Sequence, residues 1–431
     1  MLGDPGWSCW RRGWVLAVRT GRDARHRTCF PSGRVRAPGP GSEPGEPSMP
    51  TNRQLHTLRA TCALAFALGG CGSGGGGGAM GAGATGPGAS GHPSDGFETE
   101  VSFPSGDVRL VGTLTVPPGN GPVPAVILLS GSGPQDREGE TAGFVPGYQP
   151  SRVLAERLAE AGIASLRYDE RGVGASTGSH ASASTADLAD DAEAALSYLR
   201  SREGIAPARV GLLGQSEGAS IAAMVAARNP DVAFVVSLAG PAVKGHDLVL
   251  AQSEHALRNS GLSGPDLEAA MAGVRREYDL VLNEEWEGIE AAMRAMLPAQ
   301  LEAMPPEQRA LLGTPEEIMA EELLRMKNWT RFFLTYDPAR DWARIRVPVL
   351  ALLGGLDVQV TVEQNRAPLE AALRAAPTED WTVRVLPSAN HLFQDAETGN
   401  PDEYFRLDPV IASEVLDAVA TWIRERVGRQ P

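Results

Sequence analysis

From Val123 onward, apolar runs bounded by turn residues alternate with helix-length amphipathic stretches, and this alternation limits the chain to few architectures. "VPAVILLSG" (123–131) is apolar without interruption, as a strand covered on both faces requires. "IASLRYD" (163–169), "ARVGLLG" (208–214), "VAFVVSLAG" (232–240), "VPVLALLGG" (347–355) and "TVRVLPS" (382–388) repeat that character. Helices are expected between them, from about Ser151 to Ala161 and from Thr185 to Arg200, with a last one from about Pro409 to Val427. Strands joined by helical crossovers make a mostly parallel sheet, so the class is α/β. Ahead of them, "TEVSFPSGDVRLVGTLTV" reads as an antiparallel hairpin turning near Ser105-Gly106-Asp107.

Between Gly240 and Pro348 the alternation stops, and the chain reads as helices with no strand candidate. That length exceeds any crossover connection, so residues 243–344 are expected to form a helical cap inserted after the sixth strand, with the core in 96–242 and 345–431. Six of the ten methionines, Met271, Met293, Met296, Met304, Met319 and Met326, fall in it. Methionine suits an adaptable apolar wall over a bound molecule, although packing the insertion's own interior is the commoner role for any one of them.

The N-terminal part has a different character. Residues 1–48 are rich in Arg, Pro and Gly without apolar period, and are expected to be an over-extended start lacking a fold. Met49 opens a secretory signal over 49–70: Arg53 and Arg59 supply positive charge, and "ATCALAFAL" is an apolar run too short to span a membrane. Leu68-Gly69-Gly70-Cys71 resembles the lipobox of bacterial lipoproteins, which implies lipidation at Cys71 and an exported protein anchored at the outer membrane or periplasmic face. Residues 71–95, rich in Gly, would form a flexible tether, and the lipid would be the only membrane contact.

The net charge of −14 argues against nucleic acid as a partner, because phosphate recognition needs the opposite sign. The ten arginines among residues 1–70 make the remainder more acidic still. The four cysteines, Cys9, Cys29, Cys62 and Cys71, all precede the folded part, so disulfides, cysteine nucleophiles and cysteine metal sites are excluded there. No metal or cofactor is expected, and composition assigns no oligomeric state.

The pattern G-x-S-x-G occurs twice, as Gly174-Ala175-Ser176-Thr177-Gly178 and as Gly214-Gln215-Ser216-Glu217-Gly218. A nucleophile elbow needs a strand that delivers the serine, flanking glycines for a sharp turn, and a helix start behind it. Ser216 has all three, in the strand Val210 to Leu213 and the small-residue stretch "ASIAAMVAA"; Ser176 follows the loop "DERGVGAS" and has neither strand nor helix adjoining. A serine hydroxyl attacks only with a base in hydrogen-bond reach, itself oriented by a carboxylate. Of the seven histidines, His26, His56 and His92 precede the fold, His180 shares the Ser176 loop, and His246 and His255 lie in the insertion. His391 alone follows a late strand, where catalytic groups of open parallel sheets gather. Asp357 follows the strand before it, whereas Asp337 and Asp341 precede that strand and compete weakly for the acid role. The chain order Ser216, Asp357, His391 is that of an α/β-hydrolase. Two backbone N–H groups must receive the developing oxyanion. Glu217, first in the helix, and Ser132, in the glycine-containing loop "SGSGPQDR" (130–137), are the expected donors.

The stretches "GSGPQDR", "YDERGVGAS", "GQSEG", "RFFLTYDPA" with "VPVLALLGGLDVQV", and "NHLFQDAETGNPDEY" together resemble the α/β-hydrolase superfamily. In detail they resemble a bacterial carboxylesterase branch grouped with serine aminopeptidase-like and prolyl oligopeptidase-like hydrolases. The resemblance spans about residues 98–427 and implies an α/β-hydrolase fold and a Ser-His-Asp esterase acting on small-molecule, short-acyl esters. Two departures bear on substrate range: Ser130 precedes the oxyanion glycine and Gln215 precedes Ser216 where histidine is common. A peptidase or amidase uses the same triad, and a non-catalytic, ligand-binding lipoprotein is the reading from another class.

Overall fold

The computed structural model describes residues 97–427 apart from 120, 142–143, 305–308 and 310–311. The expectations for residues 1–95, the signal, Cys71 and the tether, lie outside the described residues. The hairpin pairs β1 (Phe97–Ser105) with β2 (Val108–Val116) and turns at Gly106, whose φ of 56° suits a residue without Cβ.

The apolar runs form β3 (Val123–Leu129), β4 (Ala164–Tyr168), β5 (Ile205–Gln215), β6 (Val235–Leu238), β7 (Val349–Gly354) and β8 (Trp381–Leu386). The sheet order is β1-β2-β4-β3-β5-β6-β7-β8, parallel from β4 to β8 and antiparallel where β2 meets β1 and β4. A parallel sheet must be covered on both faces, and the period of two in β3 shows how. Ala125, Ile127 and Leu129 enter one core with Ala192 and Leu196 of α2 (Thr185–Arg200), Ala222 of α3 (Glu217–Arg228) and Leu369 of α10 (Val362–Ala375). Val126 and Leu128 enter the other, with Leu154 and Leu158 of α1 (Pro150–Glu160) and Val419 and Ile423 of α11 (Ser413–Val427). A fully buried side chain such as Ile127 contributes roughly 1.5–3 kcal/mol.

Capping is legible in the sequence of α2: the Ser184 hydroxyl accepts from Asp187 N–H while the Asp187 carboxylate accepts from Ser184 N–H. At the C-terminal end expectation and structure differ. The last helix begins at Ser413, not near Pro409, because Ala412 N–H donates to Phe393 O (2.8 Å) and so braces the loop that follows β8.

The insertion after β6 comprises α4 (Gly245–Asn259), α5 (Gly264–Leu282), α6 (Trp286–Ala303), α7 (Pro315–Arg325), one π turn (Met326–Thr330), α8 (Arg331–Thr335) and α9 (Ala339–Trp342). It contains no strand among the described residues. Leu248, Val281, Ile289, Met326, Trp329 and Phe333 form an apolar cluster distinct from both sheet cores, and Met271 joins a second with Leu257 and Val274. Those two methionines pack the insertion's own interior.

Candidate active site

β5 ends at Gln215 and α3 begins at Glu217, which leaves Ser216 as the single residue between strand and helix. Its φ of 54° and ψ of −117° lie where non-glycine residues rarely sit, a strain of about 1–3 kcal/mol that surrounding structure must hold. Ser216 N–H donates to Leu238 O (2.8 Å), and Ser216 O accepts from Ala219 N–H (3.0 Å). The flanking glycines are required by approach: a Cβ on Gly214 would collide with the Gly218 carbonyl, and one on Gly218 with the Leu129 and Ser130 carbonyls. Strand and helix backbones touch, so the serine is pushed outward.

His391 and Asp357 lie in the loops after β8 and β7, adjacent strands of the sheet. His391 Nε2 is 3.1 Å from Ser216 Oγ, and Nδ1 is 2.8 Å from Asp357 Oδ2. Asp357 is buried, and its other oxygen accepts from Gln359 N–H (2.8 Å) and Val360 N–H (2.9 Å), which orients the carboxylate. With the carboxylate accepting at Nδ1, the proton sits there and Nε2 is left to accept the hydroxyl proton. Asp341 instead accepts from Tyr336 O–H (2.8 Å) and Asp337 from Ala339 N–H (3.2 Å).

The His391 loop is fixed by groups that sequence reasoning did not single out for this. Gln215 Nε2 donates to His391 O (3.2 Å), so the residue standing in place of a histidine ties the elbow to the His391 backbone. Tyr148 O–H donates to Leu392 O (2.6 Å), and buried Asn390 Oδ1 accepts from Leu392 and Gln394 N–H. Farther along, the Glu403 carboxylate gathers the N–H groups of Glu397, Thr398 and Gly399 and the Thr398 hydroxyl. Burial would raise its carboxyl, but those four donors outweigh it and pull the pKa down to about 2.

Ser132 sits in the loop after β3, beside the elbow: a Cβ added at Gly131 would come within ordinary contact, 3.5 Å, of Ser216 Cβ. The Ser132 amide has no acceptor among the described residues, and the Glu217 amide, first in its helix, has none within that helix. Two consecutive acids at the end of β4 anchor this loop. Asp169 Oδ1 accepts from Arg137 N–H (2.9 Å) and Nε (3.1 Å), and Oδ2 from Arg137 Nη2 (2.8 Å). Glu170 Oε2 accepts from Gln135 N–H (3.0 Å). Burial works against charge on Asp169, but the Arg137 and Ala175 donors reverse it and hold the carboxyl below its ordinary range. Both stretches, "SGSGPQDR" and "YDERGVGAS", stand out in the sequence; their pairing across 32 residues does not.

The remaining polar candidates fall elsewhere. Ser176 Oγ donates to Asp169 O (2.7 Å) and accepts from Val111 N–H (2.9 Å), both buried, so it bolts the β4 loop to β2. His255 faces Asn400, and His246 faces Asp247 at the surface. Among the described residues no group of three or more His, Cys, Asp or Glu is placed to hold a metal.

A family model described as "Serine aminopeptidase, S33" matches residues 143–397. Esterase EstD of Thermotoga maritima is 27% identical over 329 residues, covering 75% of this chain and 68% of that protein. Among solved structures, the Pyrococcus furiosus esterase Pf2001 aligns with a TM-score of 0.48 at 16% identity, over 78% of this chain and 95% of that one. The α/β hydrolase GrgF from Penicillium sp. sh18 aligns with a TM-score of 0.47 at 18% identity, over 77% and 100%.

Proposed function

The chain belongs to the serine aminopeptidase S33 family of α/β-hydrolases, and from that premise we propose that it hydrolyses short-acyl carboxylic esters with Ser216 as nucleophile, His391 as base and Asp357 as its orienting acid. The observation that carries this reading is the unbroken hydrogen-bonded line from Ser216 Oγ through His391 to Asp357, starting at a strained elbow. Ser216 Oγ attacks the acyl carbon as its proton passes to His391 Nε2. The carbonyl oxygen, now negative, is received by the amides of Ser132 and Glu217, aimed where charge develops. His391 returns the proton to the leaving alkoxide, and the acyl-enzyme forms. Water, deprotonated by the same Nε2, then releases the acid and restores the serine.

The similarity to an esterase favours an ester over an amide, and the family's description names a peptidase as the second reading. A panel of p-nitrophenyl acyl esters beside aminoacyl and prolyl p-nitroanilides separates them. Turnover of C2 to C6 acyl esters with little anilide hydrolysis is expected; efficient anilide cleavage with slow ester turnover would replace the ester reading by the peptidase one. The helical insertion serves as a cap over the site, and attachment at Cys71 holds the enzyme at a membrane; no helix among the described residues is long and apolar enough to cross one. Cys71→Ala should release the protein from membrane fractions with catalysis unchanged, and unchanged attachment would remove the lipid anchor from this reading.

A further inference from the structure

Glu217 contributes more than an amide. Its residue is almost entirely buried, and Oε1 accepts two short hydrogen bonds, from Thr185 Oγ1 (2.6 Å) at the start of α2 and from Trp329 Nε1 (2.7 Å) in the π turn of the insertion. The Ser132 hydroxyl lies near the same carboxylate without a hydrogen bond to it. Oε2 is buried with no hydrogen-bond partner among the described residues. Glu170, which grips the oxyanion loop at Gln135, is a neighbouring acid that acts on it. His180 Nε2 lies 3.3 Å from Glu170 Oε2, though not aligned for a hydrogen bond.

A half-satisfied buried carboxylate is costly, and an apolar residue would fill this space at less expense if packing were its only purpose. What distinguishes the position is connectivity. The two amides assigned to the oxyanion belong to Glu217 itself and to Ser132, and both residues meet at this one carboxylate. Its third tie comes from a helix turn wound one residue wide, a feature that recurs at functional positions. Trp329 is held in turn by stacking on Phe333, with ring centroids 5.0 Å apart, so its N–H has little freedom to point elsewhere.

We propose that the Glu217 carboxylate is a positioning group that registers the two oxyanion amides against each other and against the inserted helices, so that the oxyanion site is complete only when Trp329 is docked. This rests on the nucleophile and amide assignments above. Displacing the insertion would strip Oε1 of the indole N–H and leave the carboxylate with one donor fewer at the elbow. Burial, joined by Glu170, shifts the carboxyl above its ordinary range despite the donors from Thr185 and Trp329.

Trp329→Phe keeps the ring and its stack but deletes the donor. It should lower kcat for p-nitrophenyl butyrate by about tenfold with KM within about twofold, and slow fluorophosphonate labelling by a similar factor, with thermal unfolding still cooperative. Glu217→Gln retains an acceptor and should lose only about threefold, whereas in a Glu217→Leu background the Trp329→Phe change should cost less than about twofold more. Unchanged kcat and labelling in Trp329→Phe, a loss confined to KM, or fully additive losses would each overturn the inference and leave the ester reading standing. A wild-type protein that labels but hydrolyses no ester would sink that reading instead, while the labelling arm still decides the role of the carboxylate.

Discussion

Ser176 and Ser216 occupy the same five-residue pattern in one chain, and the structure gives their hydroxyls opposite employment. Ser176 Oγ is committed on both sides, donating to a carbonyl and accepting from an amide, in a turn that seats β4's loop on β2. Among the described residues Ser216 Oγ bonds only to the His391 ring, in a backbone conformation that side-chain-bearing residues avoid. The glycines differ as well. Gly214 and Gly218 let a strand and a helix touch, whereas Gly174 makes room for the Asp169 carboxylate. A five-residue pattern therefore reports tight backbone, and the chemistry depends on what the hydroxyl has left to do.

The contrast can be broken most directly at the serines. Ser216→Ala should lower kcat by on the order of a million-fold and abolish fluorophosphonate labelling while leaving the unfolding transition in place. Substantial residual turnover would return Ser176 to contention. Next in size, Asp357→Asn should lower kcat by about ten-thousand-fold, since an amide supports the wrong imidazole tautomer, while Asp341→Asn should change it by less than about threefold. If Asp341→Asn were the damaging change, the acid would come from before β7.

A smaller effect sharpens the other side of the comparison. Ser176→Ala leaves a buried N–H and C=O unpaired and should cost about 1–3 kcal/mol of stability, seen as a lower midpoint in urea, with kcat within about threefold of wild type. An unchanged midpoint would mean that the bolt to Val111 bears no strain. The smallest expected effect concerns acid. Because Glu403 lies at about 2 in the fold, against an ordinary 4.5, its stabilising contribution is complete above the unfolded value and is lost as pH falls from about 4.5 toward 2. Glu403→Gln should lower Tm at pH 6 and converge with wild type near pH 2; a constant gap across that range would assign the shift elsewhere.

Legibility followed the range of the interactions involved. The strands, the hairpin turn at Gly106, the capped start of α2 and the elbow all depend on residues within a few positions of each other, and local pattern exposes such features. Ser216, His391 and Asp357 were expected together because each sits just beyond a strand end, and a parallel sheet carries those ends to one edge. The start of the last helix was misplaced because the Ala412 amide is spent on Phe393, a contact that helical pattern does not register.

Sequence by itself determined the alternating strands and helices, the length of the insertion, and which serine has a strand before it and a helix behind it, because periodicity and turn chemistry are properties of neighbouring residues. Only the tertiary structure decided what the polar side chains around Ser216 hold. Glu217 finds Thr185 32 residues away and Trp329 112 residues away, and Gln215 finds the carbonyl of His391 across 176. No period or spacing encodes such meetings; they exist because the sheet order and the path of the insertion bring remote donors to a buried acceptor, where an unmet hydrogen bond is costly.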